Sequence, residues 1–266
     1  MTSKTVTLDI RENIAILTLN RPDVLNSLSL ELAHDARAAL AQVRANPTVR
    51  ALVMTGAGRA FCAGAELNDD LAHGQAGKSA SETLHDNMLH HFNPWISDLE
   101  SLPIPVIAAV NGVAAGAGVG IALAADITLA ARSASFLLSF APKLGLVPDM
   151  GTSWQLPRRI GMARARGMAL LGEKLDAETA ATWGLIWQCV PDEDLLDRAL
   201  AIAKRLASSP RHATHEVRQA FRLAGGNSLS EQLDYERERQ CVMIGLPSFQ
   251  EGVSAFQEKR RPVFDE

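Results

Sequence analysis

A chain of 266 residues with 47% hydrophobic content carries enough apolar mass for a full core, as one large domain or one domain with an appendage. Its net charge of -4 and pI near 6.0 argue against nucleic acid as a partner, because such binding demands a basic face. Three widely spaced cysteines predict reduced thiols and a cytoplasmic setting, without any zinc-type spacing. The N-terminal residues lack a basic-then-apolar leader pattern, and no apolar run is long enough to span a membrane.

The chain opens as a hairpin. Val6, Leu8 and Ile10 alternate with polar residues, Arg11-Glu12-Asn13 turns, and Ile14 to Leu19 returns. A helix is predicted after Ser29, a good N-cap, with Glu31 in its first turn and Leu32, Ala36, Leu40 and Val43 on one face. Asn46-Pro47 ends it, and Ala51 to Thr55 reads as a buried strand. Then comes Gly58-Arg59-Ala60-Phe61-Cys62-Ala63-Gly64-Ala65-Glu66-Leu67, a loop of small residues that lets a ligand approach the backbone. Cys62 has no histidine beside it and reads as packing. The segment from Asn68 to His91 is polar with little periodicity, and reads as a long flexible loop walling a pocket. Its Asp69-Asp70 and His90-His91 pairs read as solvated surface rather than as a metal site.

A second strand, Val106 to Ala109, feeds a second small-residue loop, Val110-Asn111-Gly112-Val113-Ala114-Ala115-Gly116-Ala117-Gly118. This loop opens an apolar helix over Val119 to Ala125, whose N-terminal partial charge favours a ligand oxygen. Two backbone N–H groups converging on one oxygen would stabilise an enolate or tetrahedral oxyanion. Asp126 to Ala130 returns as a strand. Asp176 caps a short helix closed by Gly184, with Trp183 and Trp187 expected in the core. A helix near Asp192 presents Leu195, Ala199, Ile202 and Leu206. Beyond Ser208-Ser209-Pro210 the pattern is all helical: His212 to Leu223, a Gly225-Gly226 break, and a Ser228-Leu229-Ser230-Glu231 capping box. Strands alternating with helices, followed by helices alone, predict an α/β core over 1–208 and a helical region over 209–266.

The two loops together resemble the signature of the crotonase superfamily, the enoyl-CoA hydratase/isomerase enzymes. Asn20-Arg21-Pro22-Asp23-Val24-Leu25-Asn26-Ser27 resembles its N-terminal signature, Gly64-Ala65-Glu66 its first oxyanion segment and Ala115-Gly116-Ala117-Gly118 its second. Glu251 to Arg260 resembles its C-terminal segment. The resemblance implies a spiral of ββα turns, a helical tail that builds trimers paired into hexamers, and an acyl-CoA thioester substrate. Ala65 and Ala117 would then supply the oxyanion N–H groups. Coenzyme A, part of the substrate rather than a cofactor, would lie along Leu25, Ala63, Leu67 and Gly116. Phe256, with Lys259 or Arg260 of a neighbouring subunit, or Arg21, would help to hold it. No metal or redox cofactor is implied, and no membrane or nucleic acid.

The reaction is legible in one carboxylate. Hydratases of this superfamily use two glutamates; the matching positions here are Gly120 and Ala141, so both acids are missing. These small residues would leave room for a bulky acyl group. Asp149 lies in Gly145-Leu146-Val147-Pro148-Asp149-Met150-Gly151-Thr152, among apolar neighbours. Read from the residues alone, it either caps the following helix or, with its pKa raised by desolvation, takes a proton from carbon. The Leu-Val-Pro-Asp…Gly-Thr pattern resembles the acyl-CoA isomerases of phenylacetate catabolism, in which an aspartate at this motif shuttles the proton. The resemblance therefore implies an enoyl-CoA isomerase, including the isomerisation of 2-(1,2-epoxy-1,2-dihydrophenyl)acetyl-CoA to its oxepin. An enoyl-CoA hydratase of fatty-acid or aromatic-acid degradation, and a non-catalytic acyl-CoA-binding relative, are the alternatives.

Overall fold

A computed structural model describes residues 5–68, 72–75 and 77–264. The opening hairpin forms as expected: β1 (Val6–Arg11) pairs antiparallel with β2 (Ile14–Leu19), with Val6 opposite Leu19. Helix α1 (Leu30–Ala45) starts where the Ser29 side chain accepts the Leu32 N–H, and buries Leu32, Ala36, Leu40 and Val43. The next strands come in pairs. β3 (Ala51–Gly56) and β4 (Ala60–Cys62) form the first pair, β5 (Val106–Val110) and β6 (Val113–Ala115) the second, β7 (Ile127–Ala131) and β8 (Ser135–Leu137) the third. The first member of each pair enters a six-stranded sheet ordered β1-β2-β3-β5-β7-β10, and the second a four-stranded sheet ordered β4-β6-β8-β9. From β2 onward the larger sheet is parallel. Every residue of β5 is buried, which is why it reads as one apolar run. The chain thus winds as a spiral of strand–strand–helix turns.

Helical segments close those turns. Between β4 and β5 lie α2 (Ala80–Asn87), a π turn (Met88–Phe92) and α3 (Asn93–Glu100). The long loop expected from Asn68 to His91 is therefore wrong in its second half. Ser79 and Glu82 form a capping box that starts α2, and the helix buries Thr83 rather than a broad apolar face. His90 and His91 sit on the π turn; Asp69 and Asp70 lie outside the described residues. Helix α4 (Ala117–Leu123) follows β6, and α5 (Thr152–Leu171), interrupted at Gly161, follows β8. After β9 (Leu175–Asp176) comes α6 (Ala177–Trp183), capped by the Asp176 carboxylate and closed by Gly184. β10 (Gln188–Val190) and α7 (Leu195–Ala207) complete the core. Trp187 was expected inside but is 69% exposed, and Trp183 is only half-buried, with Arg164 stacked on its ring.

The tail forms α8 (Arg211–Ala224), α9 (Leu229–Met243) and α10 (Pro247–Gln257). The Ser228–Glu231 capping box is present. Arg218 ties α8 to the core: it pairs with Asp126 at 2.7 Å and donates to the carbonyls of Leu99, Glu100 and Leu102. Elsewhere the tail leaves apolar side chains open, including Phe221 at 80% and Phe256 at 85% exposure.

Gly118 controls how closely the two layers meet. A Cβ there would stand 2.2 Å from the Cys62 carbonyl oxygen, so α4 lies directly on the β4 backbone. Gly118→Ala is expected to lower stability by about 1–3 kcal/mol through overpacking. Gly167→Ala, in α5 with no atom of the described residues within 4 Å of its Cβ position, should raise stability by about 0.5–1 kcal/mol. Urea denaturation of both variants distinguishes the two effects; equal midpoints would contradict the packing argument.

Candidate active site

The two small-residue loops meet at the rim where the smaller sheet turns into helix. Gly64 and Gly116 both have positive φ, 93° and 52°, and they face each other. A Cβ on Gly64 would lie 2.8 Å from the Ala115 carbonyl oxygen and 3.6 Å from the Ala117 nitrogen; one on Gly116 would lie 3.8 Å from the Gly64 Cα. Only glycines allow this approach. Leu28 donates to the Gly64 carbonyl at 2.7 Å and accepts from the Glu66 N–H at 3.0 Å, so that ladder passes by the Ala65 N–H. Ala117 opens α4, where a first-turn N–H has no intrahelical acceptor. Neither the Ala65 nor the Ala117 N–H donates to a backbone carbonyl among the described residues.

Two asparagines hold this frame. Asn26 is fully buried in the left-handed conformation; its side chain accepts from the Arg21 N–H at 2.8 Å and donates to the carbonyls of Ala57 and Ala60 at 3.0 and 2.8 Å. Asn111 accepts from the Gly56 N–H and donates to the Gly58 carbonyl, each at 3.0 Å. Both belong to the sequence signatures, and both act as braces between turns of the spiral.

Ala65, Ala117 and Asp149 line one cleft, with a cavity volume of about 100 Å³. Its apolar walls include Leu28, Leu30, Leu84, Met88, Phe92 and Met150, and Glu66, Asn68, Gln75 and Asn87 add polar groups. Asp149 does not cap α5: Gly151 holds the N-cap position. Its Oδ1 is buried with no hydrogen-bond partner among the described residues. Desolvation pushes the carboxyl from 3.8 up to about 6, leaving a base that is ionised at neutral pH but more basic than an ordinary carboxylate. The adjacent Met150 has φ 49°, a left-handed conformation that costs a non-glycine residue about 1–2 kcal/mol. With Gly151 at φ 75°, it bends the chain so that Asp149 faces the cleft.

The positions where the hydratase acids would fall are arranged differently from expectation. Gly120 leaves no room: a Cβ there would lie 2.5 Å from the Met150 carbonyl oxygen, 2.7 Å from the Met150 Cβ and 2.8 Å from the Thr152 Oγ1. Its smallness serves close packing of α4 on the Asp149–Thr152 turn. Ala141 is exposed on a π turn, Phe140–Leu144, and is not among the residues lining the cleft. Cys62 is buried and burial pushes its thiol up to about 12, in line with a packing role.

Leu25, Ala63, Leu67 and Gly116 flank the cleft without lining it. Ala63 donates to the Leu25 carbonyl at 3.0 Å, and Leu67 is 67% exposed. Phe256 and Lys259 lie on and just after α10, exposed and likewise not lining the cleft of their own chain. Two cations considered for phosphate contact are engaged elsewhere. Arg21 pairs with Glu66 at 2.8 Å and donates to the Ser27 carbonyl at 2.6 Å, while Arg260 grips Glu251 and Glu258 at 2.5 Å. Sequence reasoning missed the wall residues Leu84, Met88 and Phe92. The helical periodicity of Leu84, Met88 and Phe92 was the available signal.

Residues 9–266 match the enoyl-CoA hydratase/isomerase family, and the spiral carrying these two loops is the crotonase architecture; the chain belongs to this family of acyl-CoA isomerases and hydratases. It is 46% identical over 255 residues to the 1,2-epoxyphenylacetyl-CoA isomerase of Escherichia coli K12, covering 96% of each chain. It is 44% identical to a Rhodobacter capsulatus protein described as "Probable enoyl-CoA hydratase", covering 99% of each. Among solved structures, an enoyl-CoA hydratase from Bacillus anthracis superimposes with a TM-score of 0.89 at 33% identity, covering 98% of each chain. No helix among the described residues is long and apolar enough to cross a membrane.

Proposed function

We propose that this protein is an acyl-CoA isomerase that moves a double bond by proton shuttling. The observation that carries the reading is Asp149, a carboxylate whose buried oxygen has no partner among the described residues, in the cleft it shares with Ala65 and Ala117. The thioester carbonyl oxygen accepts hydrogen bonds from the Ala65 and Ala117 N–H groups. Asp149 then removes a proton from one acyl carbon, and the electron pair passes to the carbonyl oxygen as an enolate. The two N–H groups stabilise that charge. The protonated Asp149 returns the proton to another carbon as the double bond re-forms. Nothing is added or lost overall, and the mechanism asks for no cofactor beyond the coenzyme A of the substrate.

The similarity to the Escherichia coli isomerase supports 2-(1,2-epoxy-1,2-dihydrophenyl)acetyl-CoA as substrate, in phenylacetate catabolism. The apolar walls formed by Leu28, Leu84, Met88 and Phe92 suit a ring. In this reading coenzyme A runs along Leu25, Ala63, Leu67 and Gly116, and Phe256 and Lys259 reach it from a neighbouring subunit. The free cysteines Cys62, Cys189 and Cys241 fit a cytoplasmic enzyme. A hydratase is the second reading, favoured by the Rhodobacter capsulatus relative. Incubation with trans-2-enoyl-, cis-3-enoyl- and ring-epoxide acyl-CoAs, followed by mass spectrometry, separates them. Isomerisation without mass gain is expected; a gain of one water as the main product would favour the hydratase.

The open apolar faces of α8–α10 support a trimer or hexamer as the working form. Light scattering is expected to show a symmetric oligomer for the full chain and its loss on truncation after Pro210. A full-length chain that stays monomeric at micromolar concentration would contradict this.

A further inference from the structure

Met150 stands out in the cleft because its backbone is strained and its side chain is hidden. It has a left-handed φ of 49°, it is only 3% exposed, and it directly follows Asp149. A non-glycine residue held in that conformation is kept there by its surroundings. Those surroundings are α4: the Cα of Gly120 faces Met150 so closely that a Cβ would lie 2.7 Å from the methionine Cβ. The helix that begins with Ala117 and the turn that carries Asp149 therefore meet without room for even a methyl group at Gly120, and so without room for water, although the Met150 carbonyl and the buried Thr152 Oγ1 border the contact. Exclusion there is by volume: Met150 occupies the space beside Asp149.

Proton shuttling and hydration begin from the same held thioester and differ in whether water reaches the β-carbon. From these positions we infer that Met150 is a specificity-determining residue: it excludes water from the inner end of the acyl cleft and so confines the site to proton transfer. The inference rests on the isomerase reading. Without the methionine, a water beside Asp149 would lose a proton to the carboxylate as its oxygen bonds to the β-carbon. The C=C pair moves to the thioester oxygen as an enolate, and Asp149 then returns the proton to the α-carbon. The product is the substrate plus one water, balanced without any other reactant.

The test is the partition between hydrated and isomerised product from trans-2-hexenoyl-CoA and cis-3-hexenoyl-CoA in ¹⁸O-water. Met150→Gly suits the left-handed backbone and opens the space, so the variant should fold. The hydrated-to-isomerised ratio is expected to rise at least tenfold over wild type, with ¹⁸O in the new hydroxyl. Met150→Leu retains apolar bulk and should keep the wild-type ratio; Met150→Ala loses the bulk but keeps a side chain on the left-handed backbone, so it distinguishes lost volume from relieved strain. If Met150→Gly isomerises with an unchanged ratio, water exclusion by Met150 is wrong while the isomerase reading stands. If it does not fold, Met150→Ala is the deciding variant under the same criterion. Wild-type protein that isomerises neither substrate nor the ring-epoxide acyl-CoA would overturn the isomerase reading and this inference with it.

Discussion

Asp149→Asn is expected to fold, bind acyl-CoA and lose about 10²–10⁴-fold in kcat, the usual cost of removing a general base. Asparagine keeps the shape of aspartate but takes up no proton at neutral pH. The same substitution should make the protein more stable. Burial raises the Asp149 pKa from 3.8 to about 6, so the folded state holds its proton more tightly than the unfolded state. Below pH 4 both states are protonated and the group costs nothing. Between pH 4 and 6 the unfolded chain ionises first, so wild-type stability falls as pH rises. Above pH 6 the full penalty applies, up to about 3 kcal/mol. Asp149→Asn should therefore be the more stable protein at pH 7.5, by a margin that vanishes near pH 4. In wild type, kcat/KM should rise with pH through a midpoint near 6. A variant that is both inactive and less stable at pH 7.5 would point to a structural role instead.

The second large effect belongs to Ala117→Pro. Ala117 is the first residue of α4, a position that tolerates proline because its N–H has no helical partner. Proline there leaves the helix intact and removes one of the two donors proposed to hold the thioester oxygen. Loss of one such donor typically costs about 2.7–4 kcal/mol of transition-state stabilisation, or about 10²–10³ in kcat. Thermal unfolding close to wild type with kcat reduced by that factor is the expected result. A folded variant with normal turnover would remove Ala117 from the site.

Local chemistry was legible in the sequence wherever neighbours in the chain are neighbours in space. Ser29 and Asp176 cap helices, Ser228 and Glu231 form their box, and the glycine loops announce backbone used as a functional group. The resemblance of Asp149 to the isomerase motif favours one of the two readings that the residues alone leave open, and in the structure Gly151 rather than Asp149 holds the N-cap position. What the sequence hid depends on approach from elsewhere in the chain. Gly120 reads as empty space until Met150 is found filling it. Arg21 and Arg260 read as free cations until their carboxylate partners are placed beside them. Trp187 reads as core because it is apolar, yet burial depends on what covers it. The helix over Ala80–Asn87 is hard to read because it buries only Thr83 and contributes just Leu84 to the apolar line that Met88 and Phe92 continue beyond its end.

The proton shuttle at Asp149 is tested most directly by hydrogen exchange from solvent. Wild-type protein and Asp149→Asn are each incubated with cis-3-hexenoyl-CoA in deuterated water, and label in the acyl chain is followed by mass spectrometry. Such exchange reports proton removal even where no net product accumulates. Deuterium is expected at the α- or γ-carbon with wild type, at a rate that rises through pH 6, with a loss of at least 100-fold in Asp149→Asn. Exchange at the wild-type rate in a folded Asp149→Asn protein would contradict the proton shuttle.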